Sequence, residues 1–220
     1  MYKKMIALGL IGILLIGASF ILRDAQFSTP ALKDPFTRSF ILQDEQAPEG
    51  FHLFKSKIST YTMLFPIDFQ LVSDPPEFYG RQGDSFESWL AYLDTSKDAK
   101  TKIELKGTFI LLGEGRIEGN LQTLKSERIR TKHYETYEYD DKIIFLEKMV
   151  KKYDSIQKKM VLGDPNEQEA NVYYGFVANR KTNQSLELNY SLICKDNCSI
   201  DVEEEWSFMK GLLESVEFYN

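Results

Sequence analysis

The pattern of apolar and polar positions changes character three times along the chain. From Met5 to Leu22 there is no charge, and eleven of the eighteen residues are Ile, Leu or Phe. At 1.5 Å per residue such a helix is about 27 Å long, close to a hydrocarbon core of about 30 Å. Those eleven side chains favour the bilayer by roughly 3–7 kcal/mol. Lys3 and Lys4 precede the run, whereas Arg23 and Asp24 follow it and nearly cancel. The positive-inside bias therefore leaves residues 1–4 in the cytoplasm and residues 5–22 as a transmembrane anchor, with residue 23 onward outside. The competing reading is a signal peptide cleaved at Gly17, Ala18 and Ser19, with the domain secreted. Phe20, Ile21 and Leu22 continue the apolar run past that site, which favours the uncleaved anchor. Both readings export the rest of the chain.

Residues 23–50 hold neither a period of 2 nor one of 3.6 and are broken by Pro30, Pro35 and Pro48. They read as a tether with a reach of at most about 90–100 Å. Phe36, Phe40, Ile41 and Leu42 are too apolar for a pure spacer and predict that this part docks back on the domain, a binding epitope being the alternative.

Residues 51–220 read as one globular domain. Ser59 to Phe65 is β-branched and aromatic, and Ile67, Phe69 and Leu71 alternate with polar neighbours. Phe86 to Leu93 and Lys102 to Leu112 predict two more strands, the second bent at Gly107. Leu121 to Arg130 predicts a short helix. After Asp141, the apolar residues Ile143, Leu146, Val150, Tyr153, Ile156 and Met160 recur at spacings of three and four, with lysines between them. That spacing predicts an amphipathic helix ended by Gly163-Asp164-Pro165, packed on a sheet, with contact to lipid headgroups as the functional alternative. Asn171 to Ala178 is strand-like, and Leu186, Leu188, Tyr190 and Leu192 alternate without a fault. Asp201 caps a last helix, with Glu204 at capping-box distance and Val202, Trp206, Met209, Leu213 and Val216 as its buried stripe. The fold class is α+β, an antiparallel sheet flanked by helices.

Charge narrows the partners. Without residues 1–22, which hold two of the 27 basic residues and no acid, the exported part carries 25 basic and 33 acidic residues, a net of −8. This balance disfavours nucleic acid or anionic lipid as the main partner, since both are polyanions. Cys194 and Cys198 flank Lys195-Asp196-Asn197, a turn-like triplet, and in an exported domain they predict a disulfide worth about 2 kcal/mol. A redox or metal site would require a two-residue spacing and a nearby histidine.

Catalytic motifs are missing. The two histidines, His52 and His133, form no HExxH. Gly83-Asp84-Ser85-Phe86-Glu87 ends on the wrong residue for a nucleophile elbow. Gly113, Gly115 and Gly119 have the wrong spacing for a dinucleotide loop, and Glu114 and Glu118 would repel a pyrophosphate. Asp164, Glu167 and Glu169 lack the spacing of a calcium loop and read as solvated turn charges. No cofactor is predicted. Asn183, Asn189 and Asn197 begin N-x-Ser sequons that are best read as chance.

The strand pair from Tyr61 to Leu71 around Phe65-Pro66, the hairpin from Val172 to Ile200 and the closing helix from Glu204-Glu205-Trp206 to Ser215-Val216-Glu217-Phe218 together resemble the PsbP/Mog1-type fold. That resemblance implies an α/β/α sandwich and, in its exported bacterial versions, membrane-tethered accessory or binding modules without a catalytic site. No functional residue carries over. This chain departs from lipid-anchored members at Ser19, where the lipidated cysteine would stand after Leu15-Ile16-Gly17-Ala18. The expected function is a membrane-anchored extracytoplasmic binding module for a protein or small molecule, with the lipid bilayer as partner of residues 5–22. An exported hydrolase working through paired carboxylates and a structural cell-envelope component are the alternatives.

Overall fold

The computed structural model describes residues 28–73, 78–93, 101–128, 133–154, 156–163, 165–166, 168–194 and 199–219. The anchor expected over residues 5–22 lies outside them; among the described residues no helix is long and apolar enough to cross a membrane. Two short helices come first, α1 (Pro30–Lys33) and α2 (Pro35–Arg38), each with proline in its first turn. Asp34 Oδ1 accepts from the Thr37 N–H at 2.6 Å and so caps α2. Phe40 is buried and stacks on Phe54 at 5.3 Å, and the Ala31 N–H donates to the Ile67 carbonyl at 3.0 Å. The apolar residues of the proline-rich stretch are thus packed on the domain.

Alternation then builds two antiparallel sheets. The small one has the order β1-β2-β12, from Phe51–Lys55, Tyr61–Pro66 and Glu217–Phe218. The large one contains β3 (Phe69–Leu71), β4 (Tyr79–Gln82), β5 (Phe86–Leu93), β6 (Thr101–Leu111), β7 (Tyr134–Glu138), β8 (Lys142–Asp154), β9 (Lys159–Gly163), β10 (Val172–Asn179) and β11 (Gln184–Cys194). Its order is β3-β5-β6-β11-β10-β8-β7, with β4 also on β5 and β9 also on β8.

One face of the large sheet carries the main core. There the helix α4 (Val202–Glu214) seats Met209, Leu212 and Leu213, and the small sheet stacks Tyr61 on Phe109 at 5.5 Å. Gly175 on β10 is required by this packing, since a Cβ there would stand 2.5 Å from Leu213 Cδ1. Among the described residues the other face is covered at one end, where Ile117 and Leu121 of α3 (Arg116–Arg128) meet Ile143, Phe145 and Phe176.

Several expectations hold at the level of single residues. Asp201 Oδ1 accepts from the Glu203 and Glu204 N–H groups at 3.1 and 3.0 Å, capping α4. Ser215 shows why the helix ends as it does: its Oγ accepts from the Leu64 N–H at 2.9 Å and donates to the Leu212 carbonyl at 2.7 Å, fastening α4 to β2. Pairing runs through Gly107 from Trp89 to Leu188 without a break. Its missing side chain leaves room for the Trp89 ring, which a Cβ would overlap.

The amphipathic helix expected from Ile143 to Met160 is a correction: the segment is β8, a turn and β9. Ile143, Ile144, Phe145 and Leu146 are all buried because α3 and α4 cover opposite faces of β8. A strand buried on both sides loses its period of 2, and the apolar spacing that remains imitates a helix.

Candidate functional site

β8 changes partners along its length. Residues Lys142 to Met149 pair with β10, but Val150 to Asp154 pair only with β9. The β8–β9 hairpin therefore leaves the sheet as a two-stranded ribbon. Asn171, just before β10, fixes its root. The side-chain amide copies a strand partner: Oδ1 accepts from the Lys151 N–H at 2.8 Å and Nδ2 donates to the Lys151 carbonyl at 2.9 Å. At the tip, Asp154 Oδ1 accepts from the Ile156 and Gln157 N–H groups, and Lys158 takes a left-handed φ of 52°.

Under the ribbon lies a cleft of about 680 Å³, within the size range of ligand sites. Its floor is the part of the sheet face that α3 leaves uncovered, with Glu104, Val172, Ser191 and Ile193. Tyr153 and Met160, cross-strand partners on the ribbon, form a wall with Val150. Gln168, Glu169 and Ile200 close the far side. Tyr153 and Met160 are 62% and 50% exposed, so this apolar wall is accessible. Antiparallel alternation turns the backbone N–H and C=O of Tyr153 the same way as those of Lys151, towards the cleft.

The cleft carboxylates are engaged in structural contacts. Glu104 pairs with Lys102 at 2.5 Å, and Glu169 accepts from the Ile200 N–H at 3.0 Å. Two buried carboxylates stand elsewhere, Glu147 on β8 and Glu87; Glu87, inside the main core, accepts from the Lys57 N–H at 2.9 Å and the Tyr79 hydroxyl at 3.2 Å. Burial holds its carboxyl above the usual carboxylate range, although those donors favour the anion. The same burial, with the Glu87 charge alongside, pushes the Tyr79 hydroxyl up to about 12. This cluster ties the small sheet to β5.

Other residues singled out from sequence are dispersed. His52 meets the Thr29 hydroxyl at 2.8 Å and is held below its ordinary range by burial, whereas His133 faces Asn166 at 3.1 Å. Trp206 is half-buried with the Lys148 ammonium 5.5 Å from its ring centre, so it both packs on the core and lines a shallow second hollow. Among the described residues no three His, Cys, Asp or Glu side chains are placed to hold a metal ion. Cys198 and the Cys194 side chain lie outside the described residues, as do Asp164 and Glu167.

Residues 27–217 match the YvcA/Mog1p family, described as "Putative lipoprotein YvcA". The chain belongs to this family. A relative is the "Putative lipoprotein YvcA" of Bacillus subtilis (strain 168), 25% identical over 198 residues, which cover 86% of this chain and 76% of the relative. The YvcA family match contains the ribbon, Asn171 and the whole cleft lining, and begins after residues 5–22. The Mog1-like resemblance of the strand pair, late hairpin and closing helix agrees with it.

Proposed function

We propose that this chain is an extracytoplasmic binding module, held at the membrane by residues 5–22, that takes an extended peptide segment of a partner protein in the cleft under the ribbon. The names of the family and of the Bacillus relative, both lipoproteins by description, support export and membrane association. The observation that carries the ligand class is the Asn171 amide on Lys151, which continues the β8 ladder by one imitation residue. A peptide strand would extend that ladder at Tyr153 and set alternate side chains against Val172, Ile193 and Met160, as in other strand-addition modes. Cys194 and Cys198, on this reading, pair in the oxidising exterior. No catalytic step is assigned to the module.

Photo-crosslinking in intact cells tests this reading. A benzophenone amino acid in place of Ile193, at the cleft, should give a protein adduct, whereas one in place of Leu111, of similar exposure at the opposite end of the sheet, should not. Ser191→Trp, which fills the floor, should abolish the adduct. Equal adducts at both positions, or one indifferent to Ser191→Trp, would overturn it.

A further inference from the structure

One transverse row of the large sheet relates the ribbon to the start of the chain. Gln70, Tyr92, Glu104, Ser191, Val172 and Met149 stand opposite one another across six strands. The ribbon departs immediately beyond Met149, at one end of that row. At the other end, Gln70 Nε2 donates to the Pro30 carbonyl at 3.0 Å, and Ala31 pairs with Ile67, which lies beyond the row on the ribbon's side. The chain thus joins the domain at the same end of the sheet from which the ribbon projects, five strand spacings or about 24 Å away. Only residues 23–27 separate Leu22 from Ser28, a span of at most about 18 Å. The paired strands of the ribbon extend about 13 Å from Val150 to Asp154, before the turn. The span available to the chain start covers that projection.

The chemistry of the ribbon suits the same direction. Residues 150–163 hold Lys151, Lys152, Lys158 and Lys159 against the single acid Asp154, a net of +3 in an exported part that otherwise carries −11. Ile156 at the tip is 92% exposed, and Leu162 is 59% exposed. An apolar tip with Lys158 and Lys159 beside it is complementary to an anionic bilayer surface and mismatched to the acidic domain behind it.

We infer that the β8–β9 ribbon docks on the anionic membrane that carries the chain, Ile156 entering the headgroup layer and Lys158 and Lys159 beside it facing lipid phosphates. The inference rests on the reading of residues 5–22 as the anchor. It turns the cleft mouth towards the bilayer, so that the peptide it takes lies close to the membrane.

The test uses the full chain in lipid nanodiscs, with an environment-sensitive fluorescent amino acid in place of Ile156 or, as control, Leu111. Emission from position 156 should shift to the blue in equimolar phosphatidylglycerol and phosphatidylcholine and not in phosphatidylcholine alone, and position 111 should shift in neither. Replacing Lys158 and Lys159 by Gln should weaken docking about 25-fold, roughly fivefold per lysine. Salt at about 1 M, where screening acts within about 3 Å, should abolish it. A probe at 156 that stays in water in both discs, or shifts only when an acidic protein is added, would overturn the inference. If the chain fails to enter discs, the anchor reading falls, and the free protein with anionic vesicles decides separately: a blue shift supports ribbon docking and its absence refutes it.

Discussion

Two hairpins in this domain are built on the same turn and meet opposite fates. In β10–β11, Asn179 Oδ1 accepts from the N–H groups two and three residues on, Lys181 and Thr182, and the fourth, Asn183, is left-handed at φ 58°. In β8–β9, Asp154 Oδ1 accepts from Ile156 and Gln157, and the fourth residue, Lys158, is left-handed at φ 52°. Register is also shared, since Asn179 faces Gln184 and Asp154 faces Lys159. Yet β10–β11 forms the middle of the sheet and β8–β9 projects from its end. Local turn chemistry closes a hairpin; the neighbours of its strands decide whether it becomes core or outrigger.

The largest break in that symmetry is energetic. Phe176 on β10 is 1% exposed and packed against the α3 layer, so Phe176→Ala should destabilise the domain by about 3–5 kcal/mol in denaturant melts. Met160→Ala on the ribbon removes a half-exposed side chain and should stay within about 0.5 kcal/mol. Comparable losses for the two would mean that the ribbon is packed against something in solution.

How far the sequence speaks follows the same division. Leu186 to Leu192 and the stripe behind Asp201 were legible because each buries one face, leaving its period intact. The ribbon was not, because the four buried residues Ile143 to Leu146 erase alternation and Val150 and Tyr153 then complete a helical spacing. A signal is present at Asp154, an Asx-turn former placed inside the expected helix and followed directly by Ser155. The helical spacing thus includes Tyr153 and Met160 as apolar positions but places them on the wrong element. Asn171 carried no signal at all, since its role depends on a register that only the folded sheet defines.

Asn171 is where the two hairpins touch, and a mutation there should separate them. Asn171→Ala removes two hydrogen bonds from the ribbon root and leaves the β10–β11 ladder in place. A loss of about 1–2 kcal/mol is expected, concentrated locally. Amide exchange should accelerate over residues 150–163 while β11 amides such as Leu188 keep their protection. Uniform acceleration would show that the ribbon and sheet unfold as one unit.

The smallest effect is the most pointed, because it exchanges the turns themselves. Asn tolerates the left-handed region, whereas lysine pays there for contact between its Cβ and the carbonyl oxygen. Asn183→Lys should therefore lower global stability by up to about 1 kcal/mol, since that turn belongs to the sheet core. Lys158→Asn should leave the melt unchanged, because the ribbon opens without the core, and should slow exchange at Lys152 and Val161 severalfold. Together they ask why a strained lysine stands at an exposed tip where asparagine would fit better. A gain in ribbon protection accompanied by a loss of docking to anionic lipid would answer that the strain is retained for its charge. A Lys158→Asn variant that docks as well as the parent chain would leave the lysine with no such role.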